Sequence, residues 1–244
     1  MIKWSEFNAA IWRKDGLKGV IDVDYVDINS LVGLEKQKSQ LVNNTLNFIE
    51  GKGFNHALLW GHKGCGKSSL VKAVFTKFVD RNLRIIEIGV NDLENLPEIL
   101  DKIRPLKEYK FIIFCDDLSF DSGDRSYKFL KPLLEGSIEK PPRNAVLYAT
   151  SNRRHLVTES LEDNAIHARE EIDEKLSLSE RFGLWISFYE GSFNEYLSIV
   201  DEYFKDFKGD KELLHIKARQ YAMLRASRSG RIARQFYERY KDEF

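Results

Sequence analysis

The run Gly61-His62-Lys63-Gly64-Cys65-Gly66-Lys67-Ser68-Ser69 satisfies the spacing G-x-x-x-x-G-K-[ST]. Each residue type in it has a task in holding phosphate. Glycine has no Cβ, so at Gly61, Gly64 and Gly66, with Cys65 between them, backbone N–H groups can turn inward around phosphate oxygens. The helix expected to follow offers its positive end to the same anion. Lys67 brings a point charge to the β- and γ-phosphates, and Ser68 brings a hydroxyl to Mg²⁺, with Ser69 closing the run. The expected ligands are therefore ATP and Mg²⁺. An apolar stretch, Ala57-Leu58-Leu59-Trp60, precedes the run and an amphipathic one follows, which is the context this chemistry needs.

A second constellation is Phe111-Ile112-Ile113-Phe114-Cys115-Asp116-Asp117, an apolar strand ending in two carboxylates. Mg²⁺-assisted hydrolysis asks for such a pair: Asp116 to hold the ion through its water shell and Asp117 to polarise the attacking water. Standing alone, an Asp-terminated strand is more often a turn. Here it lies one strand–helix unit beyond Lys67. Ala149-Thr150-Ser151-Asn152 closes the next apolar run, where the Asn152 amide could touch both the γ-phosphate and the water; the plain alternative is a turn asparagine.

The elements that must position these groups follow from periodicity. Apolar runs at 56–60, 83–88, 110–115, 145–149 and 184–188 predict strands, and amphipathic stretches at about 66–79, 92–103 and 126–138 predict helices between them. That alternation predicts an α/β fold with a five-stranded parallel sheet covered by helices on both faces. Beyond Tyr189 only helical periodicity remains, which predicts a small all-helical lid with its joint near Glu190-Gly191. The expected organisation is an extension at 1–29, a nucleotide-binding α/β domain at 30–190 and the lid at 191–244. In the extension, Trp4, Phe7, Ile11 and Trp12 are spaced to line one face of a short docked helix. Residues 158–175 are acidic and weakly periodic, and read as a surface excursion.

Composition narrows the setting. Across 244 residues, 38 lysines and arginines balance 38 acids, so no global field draws the chain to nucleic acid or membrane. Cys65 and Cys115 form no C-x-x-C pair and no H-E-x-x-H is present, which argues against zinc and fits a reducing cytosol. No run of eighteen apolar residues occurs, so the expectation is a cytoplasmic protein without a membrane partner.

Several P-loop classes are then open. The guanine-reading N-K-x-D tetrapeptide and the LSGGQ signature are absent, while small-molecule kinases share the G-x-x-G-x-G-K-S form. Lys67-Ser68, Asp116-Asp117, Asn152, Arg181 and Arg231, with the helices last, fall in the order that resembles AAA+ ATPases. Leu31-Val32-Gly33-Leu34 is similar to the opening segment of AAA+ modules, beside the adenine, and residues 134–142 are similar to clamp-loader subunits. The strings Asp116-Asp117-Leu118-Ser119-Phe120 and Ala149-Thr150-Ser151-Asn152-Arg153-Arg154-His155-Leu156 resemble a bacterial family of predicted AAA+ proteins of unknown cellular role. The string Ser177-Leu178-Ser179-Glu180-Arg181-Phe182-Gly183-Leu184 matches that family's arginine-finger box. The resemblance spans about residues 30–240. It implies that Arg181 enters the site of a neighbouring subunit in a homo-oligomer, and that Arg231 senses the γ-phosphate within its own chain. It further implies a protein or nucleoprotein client, of unknown identity, that is remodelled or loaded. One departure stands out: Asp117 occupies the place of the usual glutamate, one methylene shorter, so hydrolysis is expected to be slow or partner-dependent.

Weaker signals remain. Residues 215–241 carry eight lysines and arginines against Glu238 alone, which suits either polynucleotide or an acidic neighbour such as residues 159–180 of another subunit. Arg153-Arg154-His155 suits pairing with nearby acids as well as it suits catalysis. Cys65 invites a redox reading, with a small buried filler as the plainer one.

Overall fold

All five apolar runs are strands in the computed structural model, which describes residues 2–120, 124–136, 138–153 and 178–244. Two further strands precede them. In chain order they are β1 (Ala9–Arg13), β2 (Gly16–Gly19), β3 (Ala57–Gly61), β4 (Leu83–Glu87), β5 (Lys110–Cys115), β6 (Ala145–Ser151) and β7 (Leu184–Phe188). They form one sheet in the order β2-β1-β4-β5-β6-β3-β7. Every neighbouring pair is parallel except β1 with β2.

The helices are α1 (Glu35–Ile49), α2 (Lys67–Phe78), α3 (Leu96–Ile103), α4 (Lys131–Leu134), α5 (Phe193–Tyr203), α6 (Lys211–Leu224) and α7 (Gly230–Tyr240). Strand alternation sends Leu58, Ile86, Ile113 and Leu147 to one face, where they meet Leu96, Ile99 and Ile103 of α3 and Leu133 of α4. The intervening Leu59, Ile85, Ile112 and Val146 go to the other, against Leu70, Val74 and Phe75 of α2 and Leu41 and Phe48 of α1. Burial on both faces is why these strands read as continuous apolar runs, each such side chain contributing about 1.5–3 kcal/mol.

Three elements differ from the sequence expectation. The helix expected over 126–138 is a 3-10 helix at Ser126–Leu130 followed by the four-residue α4. Trp4, Phe7, Ile11 and Trp12 do not line a helix. Residues 9–13 form β1, which turns at Gly16 (φ +105°) into β2 and pairs with β4 on its other side. Ala10 and Trp12 enter one core layer while Ala9 enters the other, a period of two that the aromatic spacing masks. Trp4 is anchored separately: its carbonyl accepts from the Nε of the buried Arg84 at 3.0 Å. Helix α1 was not legible either, because its buried face includes Asn44 and Thr45. Asn44 donates to the Asn55 carbonyl (2.9 Å), and Thr45 shares a hydrogen bond with the Tyr148 hydroxyl (2.7 Å), so this polar stripe is satisfied inside the core.

After β7 the chain is helical, as expected. Helices α5, α6 and α7 pack around an apolar cluster of their own, with Tyr196, Val200, Phe204, Leu214, Tyr221 and Phe236 at its centre. Helix α5 opens with a capping box between Ser192 and Glu195, and α6 with Asp210 accepting from Glu212 and Leu213. No helix among the described residues is long and apolar enough to cross a membrane. The acidic residues 158–175, together with Arg154, His155, Leu156 and Ser177, lie outside the described residues.

Candidate functional site

Strand β3 lies inside the sheet, next to its β7 edge and flanked by β6 and β7, and the glycine-rich run leaves its carboxyl end. Gly61 has φ +131°, and a Cβ there would overlap the Phe188 carbonyl, which accepts from the His62 N–H at 3.0 Å. Gly66 (φ +91°) ends the loop, and α2 starts at Lys67 without a side-chain cap. Its first-turn residues Lys67, Ser68 and Ser69 line a cleft of about 500 Å³, leaving their uncapped N–H end available to an anion. Lys67 is buried, and its ammonium donates to the Gly61 carbonyl (2.7 Å), the His62 carbonyl (2.8 Å) and Asn152 Oδ1 (3.1 Å). Burial holds its pKa below the ordinary lysine value, against the opposing pull of Cys65 and of the Asp116 and Asp117 carboxylates.

The carboxylates meet this loop across the sheet. Asp116 Oδ1 accepts from Ser68 Oγ at 2.6 Å and from Thr150 Oγ1 at 2.5 Å. The same Thr150 oxygen accepts from the Asp117 N–H at 2.9 Å, and the Thr150 carbonyl from the Leu118 N–H at 2.7 Å. One buried hydroxyl thus fixes both acids. Asp117 lies at φ +55°, a left-handed conformation that costs a non-glycine residue about 1–2 kcal/mol, and Asn152 Nδ2 donates to its Oδ1. Thr150 is a site residue the sequence did not reveal; its only signal was its place two residues before Asn152.

The donor set fits Mg²⁺ as a nucleotide carries it. Among the described residues no group of three or more His, Cys, Asp or Glu could enclose a metal. One hydroxyl and one carboxylate, Ser68 and Asp116, suffice when phosphates and water supply the remaining ligands.

The far wall of the cleft comes from residues 30–34, from Tyr189, from Ile199 and Tyr203 of α5, and from Arg231 and Arg234 of α7. The helical unit docks directly on the phosphate loop. The Arg231 N–H donates to the Gly64 carbonyl at 3.2 Å, and a Cβ on Gly64 (φ +77°) would come within 2.8 Å of Ser229 Oγ and 2.9 Å of Arg231 Cβ. Glu190, at the joint, accepts from Ser227 Oγ (2.6 Å) and from the Arg228 N–H (2.7 Å). Burial pushes the Glu190 pKa up, but those donors and the Arg228 charge outweigh it and hold the carboxyl below its ordinary value.

The structure therefore gathers Gly61, Gly64, Cys65, Gly66, Lys67, Ser68, Ser69, Asp116, Asp117, Asn152 and Arg231 around one cleft. Arg181 stands apart. It follows a helical turn at 178–180, does not line the cleft, and its Nε pairs with Glu135 while Nη1 is buried with no hydrogen-bond partner among the described residues. Cys65 is half-buried; burial raises its thiol pKa against the pull of Lys67. Cys115 is fully buried, pushed up to about 12, and both cysteines are free.

Comparison with known proteins agrees with this architecture. A family model described as "Protein of unknown function (DUF815)" matches residues 5–244. No curated protein matches the chain. Among solved structures, a mutant RuvB from Thermotoga maritima is similar at a TM-score of 0.52 and 12% identity, over 87% of this chain and 71% of that one. A second RuvB mutant from the same organism gives 0.50 and 13%, with the same coverage. At such identities the likeness is one of fold: a RuvB-like sheet, mostly parallel, with helices on both faces.

Proposed function

The chain belongs to the DUF815 family, and from that premise we propose that it is a cytoplasmic AAA+ protein that binds and hydrolyses ATP with Mg²⁺. The observation that carries this reading is the convergence of a buried lysine, a serine hydroxyl, two aspartates and an asparagine on one cleft at the carboxyl ends of β3, β5 and β6. Lys67 would exchange its carbonyl partners for the β- and γ-phosphates. Ser68 and Asp116 would hold Mg²⁺, which supplies charge neutralisation on the phosphates. Asp117 would accept the proton of the attacking water, with Asn152 orienting both. Arg231 would report the γ-phosphate to the helical lid at 191–244, which closes on the α/β body at 30–190; residues 1–29 complete that body's sheet.

Arg181 is proposed to act in trans within a homo-oligomer, consistent with its position outside its own cleft. Such fingers contribute about 10³–10⁵ in rate. The client is a protein or nucleoprotein.

A second reading, a nucleotide-gated switch with slow turnover, is favoured by one feature. The short Asp117 carboxylate is held in a left-handed backbone and engaged by Asn152. Asp117→Asn tests the first reading: ATP affinity is expected to persist while steady-state hydrolysis stops, and undiminished hydrolysis removes Asp117 as the base. Mixing Arg181→Ala with Lys67→Ala, each inactive alone, should restore part of the activity; no recovery in proven mixed oligomers makes Arg181 a structural arginine.

A further inference from the structure

A second groove of about 610 Å³ lies on the helical unit and adjoins the cleft at Arg231 and Arg234; of its lining, the reading above uses Arg231 alone. Arg225, Arg231, Arg234 and Arg239 line it together with Tyr221, against a single acid, Glu238. All four arginines are exposed. Arg225 lies over the Tyr221 ring at 5.4 Å and Arg239 over the Tyr240 ring at 5.5 Å, arrangements that leave guanidinium edges open to an anion. The nearby acids are committed elsewhere: Glu238 pairs with Lys241 at 2.8 Å and Asp24 with Lys72 at 2.8 Å. Met223 and Leu224, which immediately precede Arg225 in the chain, are 66% and 85% exposed. The face is therefore basic and partly apolar.

We propose that this face docks the acidic segment at residues 159–174 of a second copy of the chain. The inference rests on the trans assignment of Arg181. Charge complementarity selects the occupant: that segment holds Glu159, Glu162, Asp163, Glu170, Glu171, Asp173 and Glu174 against Arg169 alone, and carries Leu161, Ile166 and Ile172 to meet Met223 and Leu224. Connectivity selects the place. Glu174 precedes Arg181 by seven residues, a reach of at most about 24 Å. A neighbour's Arg181 entering the cleft brings its segment within range of Arg231 and Arg234, which line both cleft and groove. Polynucleotide is the weaker fit, because exposed leucine and methionine add nothing to phosphate binding and the whole chain has no net charge.

The test is ATP-promoted self-association of the full chain, followed by sedimentation at fixed low salt. The double variant Arg225→Glu, Arg239→Glu, both outside the cleft, should weaken association at least tenfold, as should Glu170→Arg, Glu171→Arg. Mixed together, the two variants should associate with each other more tightly than either does with itself, because charge is again complementary; misfolding could not produce that recovery. Association unchanged by either pair of substitutions overturns the docking while leaving the trans assignment standing, and a parent chain that stays monomeric with ATP overturns both. A polynucleotide oligomer that binds the parent chain and is lost in the arginine variant, with self-association intact, assigns the face to nucleic acid instead. Hydrolysis is not a readout here, so an inactive Asp117 leaves the test valid.

Discussion

The phosphate end of the cleft and the helical unit that faces it are built on opposite principles. At the phosphate end, Lys67, Ser68, Asp116, Thr150 and Asn152 are fixed by mutual hydrogen bonds at the ends of buried strands. The helical unit has its own apolar centre and meets the body through a few polar contacts: Arg231 on Gly64 of the phosphate loop, and Ser227 and Arg228 on Glu190 at the joint. The difference separates two tasks. A preorganised centre sets the chemistry, whereas an attachment worth a few kcal/mol can be made or released by a ligand with a modest difference in affinity.

Substitutions on the two sides should therefore fail differently. The largest effect is expected from Lys67→Ala, which should weaken ATP binding by about 100-fold or more, as the loss of charged hydrogen bonds worth about 3 kcal/mol implies. Its melting temperature should move by less than about 3 °C, since Lys67 contacts carbonyls and not core. Calorimetry showing unchanged affinity would remove Lys67 from the site. Gly64→Ala strikes the contact between the regions: a Cβ at φ +77° meets Ser229 and Arg231, so nucleotide affinity should fall about tenfold through a displaced helical unit. Hydrogen exchange in α7 should rise while that in β3 stays protected, and a uniform rise would erase the distinction.

Acid should separate the regions again. His56 sits at the start of β3, its Nδ1 accepting from the Leu147 N–H at 2.9 Å, and burial lowers its pKa to about 4. The unfolded chain, with the ordinary value near 6.5, takes up the proton first. This contribution is complete above pH 6.5 and is lost as pH falls toward 4, about 1 kcal/mol being gone by pH 5.5. All four tryptophans, Trp4, Trp12, Trp60 and Trp185, lie outside the helical unit, so their emission follows the sheet alone. In His56→Gln the slope of sheet stability between pH 6.5 and 4 should flatten. The smallest effect is expected for Glu190→Gln, about fivefold in nucleotide affinity, because the amide keeps an acceptor for Ser227 and Arg228 and loses only about 1 kcal/mol of charge assistance. An effect equal to that of Gly64→Ala would mean that the joint, and not the loop contact, carries the docking.

What was legible in the sequence follows the same division. The five core strands and the phosphate run could be read because apolar strands and obligatory glycines leave unambiguous local signatures. Helix α1 hid because Asn44 and Thr45 serve as core residues once Asn55 and Tyr148 satisfy them, a condition visible only in three dimensions. Trp4, Phe7, Ile11 and Trp12 carried a spacing compatible with a helix, and pairing with β4 overrode it. Thr150 was silent because a buried hydroxyl has no pattern of its own. The partner of Arg181, Glu135, lies 46 positions earlier, beyond the reach of any local rule.

The hairpin of β1 and β2 has a consequence for handling the protein. Without it, β4 would become the margin of the sheet, and Leu83–Glu87, buried along four of its five residues, would display unpaired N–H and C=O groups on an apolar ribbon. Such a margin recruits strands from other chains. The hairpin instead finishes the sheet with four residues, Gly16–Gly19, two of them glycines and one an exposed lysine, Lys18. A truncation beginning at residue 30, where composition invites a boundary, would thus leave the phosphate site chemically intact yet turn a dispersed molecule into a precipitating one.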